Sequence, residues 1–153
     1  MARFTHPAIG SGGSSEAGTW IIEGGTTGAG AVQPTFDGDP LFSGRWRRFD
    51  NFIHFAIDVD FDNILTFGTG QYYMKLPYPA KSNYLFSDGC VHDISTGDEY
   101  ALLGHVNAGS DIITLLSTAS NGRQVPFTDK VPFTLVAADN FHIAGNYEAD
   151  LSS

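Results

Sequence analysis

The sequence predicts an all-β fold: an antiparallel two-sheet sandwich of jelly-roll-like architecture, with an extended glycine-rich N-terminal arm. Apolar and polar residues alternate over residues 53–61, which is the pattern of a half-buried strand. Turn signals recur at spacings of roughly 8–12 residues along much of the chain. No stretch shows the apolar period of an amphipathic helix, and the 12 Phe and 6 Tyr residues favour strands.

Composition divides the chain into an extended anchoring arm, residues 1–39, and a β-sandwich domain, residues 40–153. The arm contains nine of the 18 glycines and cannot bury enough apolar surface to form a core of its own. Its apolar island of Trp20, Ile21 and Ile22 favours an anchor that becomes ordered against a neighbouring subunit. A flexible tail is the alternative interpretation of the same composition.

The elements of the predicted domain follow from alternation and turn residues. In residues 53–61 the odd positions are expected to face the core. Residues 72–76 repeat the alternation after a turn at 68–70, where Gly68 and Gly70 can supply a positive φ. Further strands are predicted at residues 84–87, 91–95, 100–106, 111–117, 133–137 and 140–147. Turns are predicted at residues 88–89, 96–98, 107–109 and 121–122, the first of them as a hairpin.

Charge and hydropathy argue against several classes of partner. The net charge is −9 and only eight residues are Lys or Arg, whereas unspecific nucleic-acid binding depends on cationic contacts. No segment approaches the ~20 apolar residues that a bilayer crossing needs. We therefore expect neither a nucleic-acid partner nor membrane insertion. Residues 1–30 lack a secretory pattern, so we expect synthesis in a cytoplasm.

Candidate chemical groups are sparse. Cys90, the single cysteine, and His92 lie two positions apart on a predicted strand, a step of about 6.6–6.8 Å that is too long for a nucleophile and its base. A cation could be held by Asp60, Asp62 and Asn63 at a strand end, or by His54, Asp58 and Asp60 on one strand face. Solvated faces and charge pairing with Arg45, Arg47 or Arg48 are the simpler interpretations. We predict no catalytic residue, metal or cofactor, although paired carboxylates for sugar cleavage remain an open alternative.

Six short motifs in a fixed order carry a family resemblance. They occupy residues 34–38 (PTFDG), 44–46 (GRW), 53–61, 68–73 (GTGQYY), 76–79 (LPYP) and 139–148 (DNFHIAGNYE). In this order they resemble the β-rich domain of tailed-bacteriophage fibre, minor tail and head-decoration proteins. The match covers residues 33–149 and leaves out residues 1–32.

The resemblance implies a bacteriophage virion structural protein without enzymatic activity. The β domain would be displayed on the particle, attached by the N-terminal arm to other virion proteins of the tail or capsid. It further implies a homotrimer, made in the host cytoplasm and located in the virion, that would aid adhesion to a host surface glycan. Three placements remain alternatives: a tail fibre or minor tail protein, a head fibre or capsid decoration protein, and an adaptor.

A free-standing carbohydrate-binding module is the competing functional hypothesis. Four aromatic side chains, Trp46, Tyr73, Tyr78 and Tyr84, are candidates for a surface that stacks on sugars or packs in an interface. Packing in the core or in a subunit interface is the simpler interpretation for at least Trp46 and Tyr72.

Overall fold

The structure, a computed structural model, describes residues 15–20, 22–119 and 121–152. Within these ranges the regular elements are all strands and every strand pair is antiparallel, which confirms the predicted all-β class. None of the described segments forms a helix long and apolar enough to cross a membrane. In chain order the strands are β1 (Ser15–Trp20), β2 (Gly24–Val32), β3 (Thr35–Phe36), β4 (Leu41–Phe49), β5 (Phe52–Asp60), β6 (Ile64–Thr66), β7 (Thr69–Lys75), β8 (Tyr84–Phe86), β9 (Asp88–Asp93), β10 (Asp98–Val106), β11 (Ile112–Thr118), β12 (Gln124–Pro126) and β13 (Asn140–Glu148).

One curled sheet of 11 strands contains most of these elements. Its order is β1-β4-β5-β13-β9-β10-β11-β7-β2, with β8 added to β10 and β12 added to β11; β3 and β6 form a separate two-stranded sheet. The first part of β10 pairs with β9 and its second part pairs with β8 and β11. We therefore call β1, β4, β5, β13 and β9 the front half of the sheet, and β8, β11, β12, β7 and β2 the back half.

The inner faces of the two halves enclose one aromatic core, as in a β-sandwich. Odd positions of β5 are buried as predicted, with Phe55 fully inaccessible. The Phe55 ring on the front half meets Phe86 of β8 edge-on, with ring centroids 4.9 Å apart. Phe141 of β13 likewise meets Phe127, which follows β12, at 5.6 Å. Such pairs add about 0.5–1.5 kcal/mol each beyond the burial of their area, so they join the halves firmly.

Residues 15–20, 24–32 and 35–36 form strands, but the described part of the proposed arm belongs to the domain. β1 pairs with β4 along its whole length, and β2 pairs with β7. Ile22 is only 6% exposed and lies in the core. The predicted boundary at residue 39 is therefore corrected: the glycine-rich strands obtain their hydrogen bonds from the same chain, which a composition argument cannot detect.

Trp20 shows how this segment closes the edge of the sandwich. Its Nε1 donates to the carbonyl oxygen of Lys75 in β7 at 3.2 Å, and Lys75 N donates to Glu23 O at 2.8 Å. The chain thus passes from the edge of the front half to the edge of the back half between β1 and β2. Ile21, the third residue of the predicted anchor, lies outside the described residues.

Two local predictions are wrong. Residues 133–137 form a loop and not a strand. A 2.9 Å hydrogen bond from Leu135 N to Asp129 O holds the loop. The loop is apolar because Leu135, which is 4% exposed, packs in the core. The hairpin predicted at residues 88–89 does not exist either, since β8 and β9 do not pair with each other but both pair with β10. The positive φ values predicted for Gly68 and Gly70 are confirmed, at 71° and 119°.

Candidate functional site

The candidate site is the solvent-facing surface of β4 and β5 on the front half. Odd residues of β4 and even residues of β5 point outward, because their neighbours on both strands face the core. The register places Arg47 opposite His54 and Arg45 opposite Ala56, while β1 contributes Ala17 opposite Arg47. Short and long side chains therefore alternate across the surface, so that the surface has raised and recessed parts.

A shallow hollow of about 690 Å³ lies across these strands. It is lined by Ala17, Gly18, Arg45, Trp46, Arg47, His54 and Ala56, and we call it the arginine groove. Ala17 and Ala56 are short, so the long side chains of Arg45 and Arg47 stand above their level. The groove therefore combines a low floor with cationic walls.

The two arginines of the groove differ in their partners. Arg45 Nη2 donates to Asp58 Oδ2 at 3.1 Å, and both side chains are more than half exposed. This confirms the expected charge pairing, but an exposed pair of this kind contributes only about 0–1 kcal/mol. Among the described residues no carboxylate lies within ion-pair distance of Arg47. His54 beside it shares a 2.9 Å hydrogen bond between Nδ1 and Asn146 Oδ1.

An exposed aromatic pair continues this surface toward the tip of the β4–β5 hairpin. Phe49 and Phe52 are directly opposite each other in the register, and each is 58% exposed. The reversal between them is made by Asp50, whose φ is 55°, and Asn51. A second, smaller hollow of about 320 Å³ joins Phe49 to Arg47 and to β1. Cationic and aromatic groups therefore form one continuous strip along the hairpin.

The opposite end of the same face is acidic. A hollow of about 600 Å³ there is lined by residues of β4, β5 and β13, among them Ser43, Asp58, Asp60, Asn140 and His142. Carboxylates are also present at the arginine end, where Glu16 lines the smaller hollow and pairs with Arg48, and Glu148 is opposite Phe52 in the register.

The candidate cation ligands are engaged in folding. Asp60 Oδ1 accepts a bond from Asp62 N at 2.8 Å, a local turn contact. Asn63 Nδ2 donates to the carbonyl oxygens of Asp37 and Asp39, which fastens the segment after β3. Within the part of the chain that the structure describes, no three His, Cys, Asp or Glu side chains form a metal-binding group. The contacts of Asp60, Asp62 and Asn63 fit the simpler interpretation, in which these residues belong to a solvated strand face and a turn.

Cys90 and His92 do not form a nucleophilic pair. Burial raises the pKa of the Cys90 thiol, and the nearby Glu99 carboxylate raises it further. The thiolate is the reactive form of cysteine, so this environment works against reactivity. The Cys90 thiol instead lies 3.7 Å from Val91 O.

The four predicted surface aromatics are all half-buried, and two of them, Trp46 and Tyr78, are in contact. Trp46, Tyr78 and Tyr84 are half-buried and pack against the core; Trp46 meets Tyr78 edge-on at 5.5 Å, and Tyr84 Oη accepts a bond from Glu148 N at 3.0 Å. Tyr73 is half-buried on β7 of the back half. These contacts favour the simpler interpretation, packing against the core, for Trp46, Tyr78 and Tyr84, while Trp46 also lines the arginine groove.

Sequence reasoning missed Phe49 and Phe52. The available signal was the order Phe49-Asp50-Asn51-Phe52, in which a two-residue reversal places the rings opposite each other. Arg45 and Arg47 were singled out only as partners of acidic residues, since the sequence does not reveal which of them finds a carboxylate.

Comparisons with known proteins bear on the fold. No protein-family model matches the chain, and no curated protein matches it. Among solved structures, the crystal structure of the Dettilon tailspike protein is similar, with a TM-score of 0.63 and 15% sequence identity. The match covers 89% of this chain but only 24% of the tailspike chain. At this identity the likeness shows a shared fold, and the chain spans about a quarter of that protein's length.

Proposed function

We propose that the chain is a structural domain of a bacteriophage virion, associated with the tail and displayed on the particle. The observation that carries this proposal is the fold shared with a phage tailspike over 89% of the chain. The motif order over residues 33–149, which resembles phage fibre and tail domains, supports it independently of the structure. A role as a capsid decoration protein is the neighbouring alternative.

The proposed role is structural and not enzymatic. The described surface offers open hollows on a sheet face, and the one cysteine is held with a raised pKa. Other virion proteins are the proposed partners, and a homotrimer is the proposed assembly. Attachment through Trp20 and Ile22 is no longer part of the proposal, because these side chains pack within their own chain.

Copurification with particles tests the proposal. Particles of the phage that encodes the chain would be purified by density-gradient centrifugation and analysed by mass spectrometry beside the cleared lysate. We expect the chain to remain with the particles at a constant ratio to a major capsid or tail protein. Recovery only from the cleared lysate would contradict a virion role. Light scattering of the purified chain would separately test the trimer.

A free-standing carbohydrate-binding module remains the second candidate, favoured by the exposed Phe49–Phe52 pair beside the arginine groove. It predicts a monomer that binds glycans and is absent from particles, so the same two measurements distinguish it from the virion role.

A further inference from the structure

We propose that the arginine groove and the adjacent Phe49–Phe52 pair bind an acidic polysaccharide. The carboxylates of the glycan would contact Arg47 and Arg45, and its sugar rings would lie along the two phenylalanines. The proposal assigns a ligand class to the outer surface of β4 and β5. It rests on the proposed function, because display on a virion is what would bring this surface to a host glycan.

The charge of the groove departs from that of the whole chain. The protein carries 17 acidic residues against eight Lys and Arg, yet Arg45, Arg47 and His54 converge on this one hollow. Guanidinium groups bind carboxylates through two parallel hydrogen bonds. Arg47 is exposed, with no acidic partner among the described residues, so it can bind an external carboxylate without breaking an ion pair.

The geometry fits a linear ligand. Outward side chains of β4 follow one another in the order Arg45, Arg47, Phe49, and successive members are about 6.6–6.8 Å apart along a strand. The low floor of Ala17 and Ala56 leaves space beside the arginines. A chain molecule lying along β4 would therefore meet two cationic groups and then an aromatic surface.

The aromatic pair supplies the second kind of contact. A phenylalanine that is 58% exposed on a sheet face leaves most of its apolar ring in water, and two such residues are cross-strand partners in the hairpin. Their faces can cover the apolar C–H surface of a sugar ring, which removes apolar area from water on both sides.

Two other macromolecules fit less well. Nucleic acids are usually held by several phosphate contacts, whereas this groove offers two guanidinium groups on a chain of net charge −9. A stable protein interface generally needs about 800 Å² per partner around a buried apolar centre. The exposed large apolar side chains of β4 and β5 lie at the two ends of this face, with Leu41 far from the phenylalanines. The centre of the face is made of alanine and charged residues.

Binding by the full chain can be measured by calorimetry with three acidic polymers: polygalacturonate, hyaluronate and polysialic acid. Neutral dextran and an oligo-dT strand serve as comparison ligands. We expect binding to at least one acidic polymer, no binding to dextran, and weaker binding as salt is raised. Arg47→Ala should weaken binding about tenfold or more, as expected for loss of a charged hydrogen-bonding group. Phe49→Ala should also weaken it.

Matched controls lie away from the groove. Arg123→Ala removes an exposed arginine near β12, and Leu85→Ala removes an apolar side chain of β8 that is 62% exposed. Both should leave affinity within about twofold of the original. Because Arg47 and Phe49 are exposed, their variants should retain the circular dichroism and melting transition of the parent chain.

Several results would overturn the inference. These are no binding to any acidic polymer, equal loss in Arg47→Ala and Arg123→Ala, or tighter binding to oligo-dT than to the glycans. A lower molar mass of Arg47→Ala in light scattering would assign the surface to a second copy of the chain instead. A chain that copurifies with particles but binds no acidic glycan would refute this inference and leave the proposed function intact.

Discussion

The indole of Trp20 lies directly over the backbone of Gly44, so that a β-carbon at residue 44 would approach the ring to 2.6 Å. The two residues are partners in the register of β1 and β4. Two residues further along the same strand pair, the Trp46 ring lies over Gly18, where an added β-carbon would come within 3.2 Å. Each tryptophan thus occupies the space left by a glycine on the neighbouring strand. This reciprocal packing holds β1 against β4.

Gly44→Ala is therefore expected to destabilise the fold. The new methyl group would displace the Trp20 ring and strain its 3.2 Å bond to Lys75 O, a form of overpacking that costs about 1–3 kcal/mol. The free energy of unfolding in urea measures this loss. Ser43→Ala, at the adjacent exposed position of β4, is the control and should change stability by less than about 0.5 kcal/mol. Equal stability of the two variants would show that the Trp20 ring does not pack tightly against residue 44.

Truncation tests whether β1 and β2 are integral to the domain. Removal of residues 1–30 deletes β1 and most of β2, and with them Trp20 and Ile22. Loss of such buried side chains costs more than about 3 kcal/mol. A 1–30 deletion that unfolds cooperatively at the original midpoint would restore the interpretation of this segment as a separate arm.

The turn after β9 predicts a pH dependence of stability. Asp93 Oδ1 accepts bonds from Ser95 Oγ at 2.6 Å and from Ser95 N at 2.9 Å. The Ser95 hydroxyl is the main cause that lowers the pKa of Asp93, with smaller contributions from Thr96 and the backbone. A carboxyl whose folded pKa is lowered stabilises the fold above its unfolded pKa, about 3.9, and loses this effect as pH falls through the folded pKa.

Ser95→Ala should consequently raise the pKa of Asp93 in the folded protein, which a carbon-detected NMR titration of the carboxyl can follow. The variant should be less stable than the parent chain at pH 7, and the difference should shrink as the pH falls below the unfolded pKa of Asp93. An unchanged Asp93 titration, or a stability difference that grows in acid, would contradict the assigned contact.

Much of the domain was predictable because its signals are local. The alternation of residues 53–61 identifies β5 and its buried face, since a strand has only two faces. Positive φ values at Gly68 and Gly70 follow from the freedom of glycine. The pairing of β1 with β4 could not be predicted in this way. Gly18 and Gly44 indicate the pairing only when the positions of the Trp46 and Trp20 rings above them are known.

The site was harder to predict than the fold for a related reason. Trp46, Tyr78 and Tyr84 are aromatic residues that the sequence alone cannot assign to the inner or outer face without the register of the neighbouring strands. Phe49 and Phe52 could have been found from the tight reversal between them. The loop at residues 133–137 has the composition of a strand because it covers the core, and burial without alternation does not distinguish the two.

Labelling of intact particles tests the central proposal most directly. A gold-conjugated antibody raised against the purified chain would be applied to unfixed particles of the phage that encodes it and viewed by negative-stain electron microscopy. A displayed, tail-associated domain predicts gold at the tail of most particles, and prior absorption of the antibody with the purified chain should remove the label. Particles that stay unlabelled, while the same antibody binds the purified chain in solution, would contradict display on the virion.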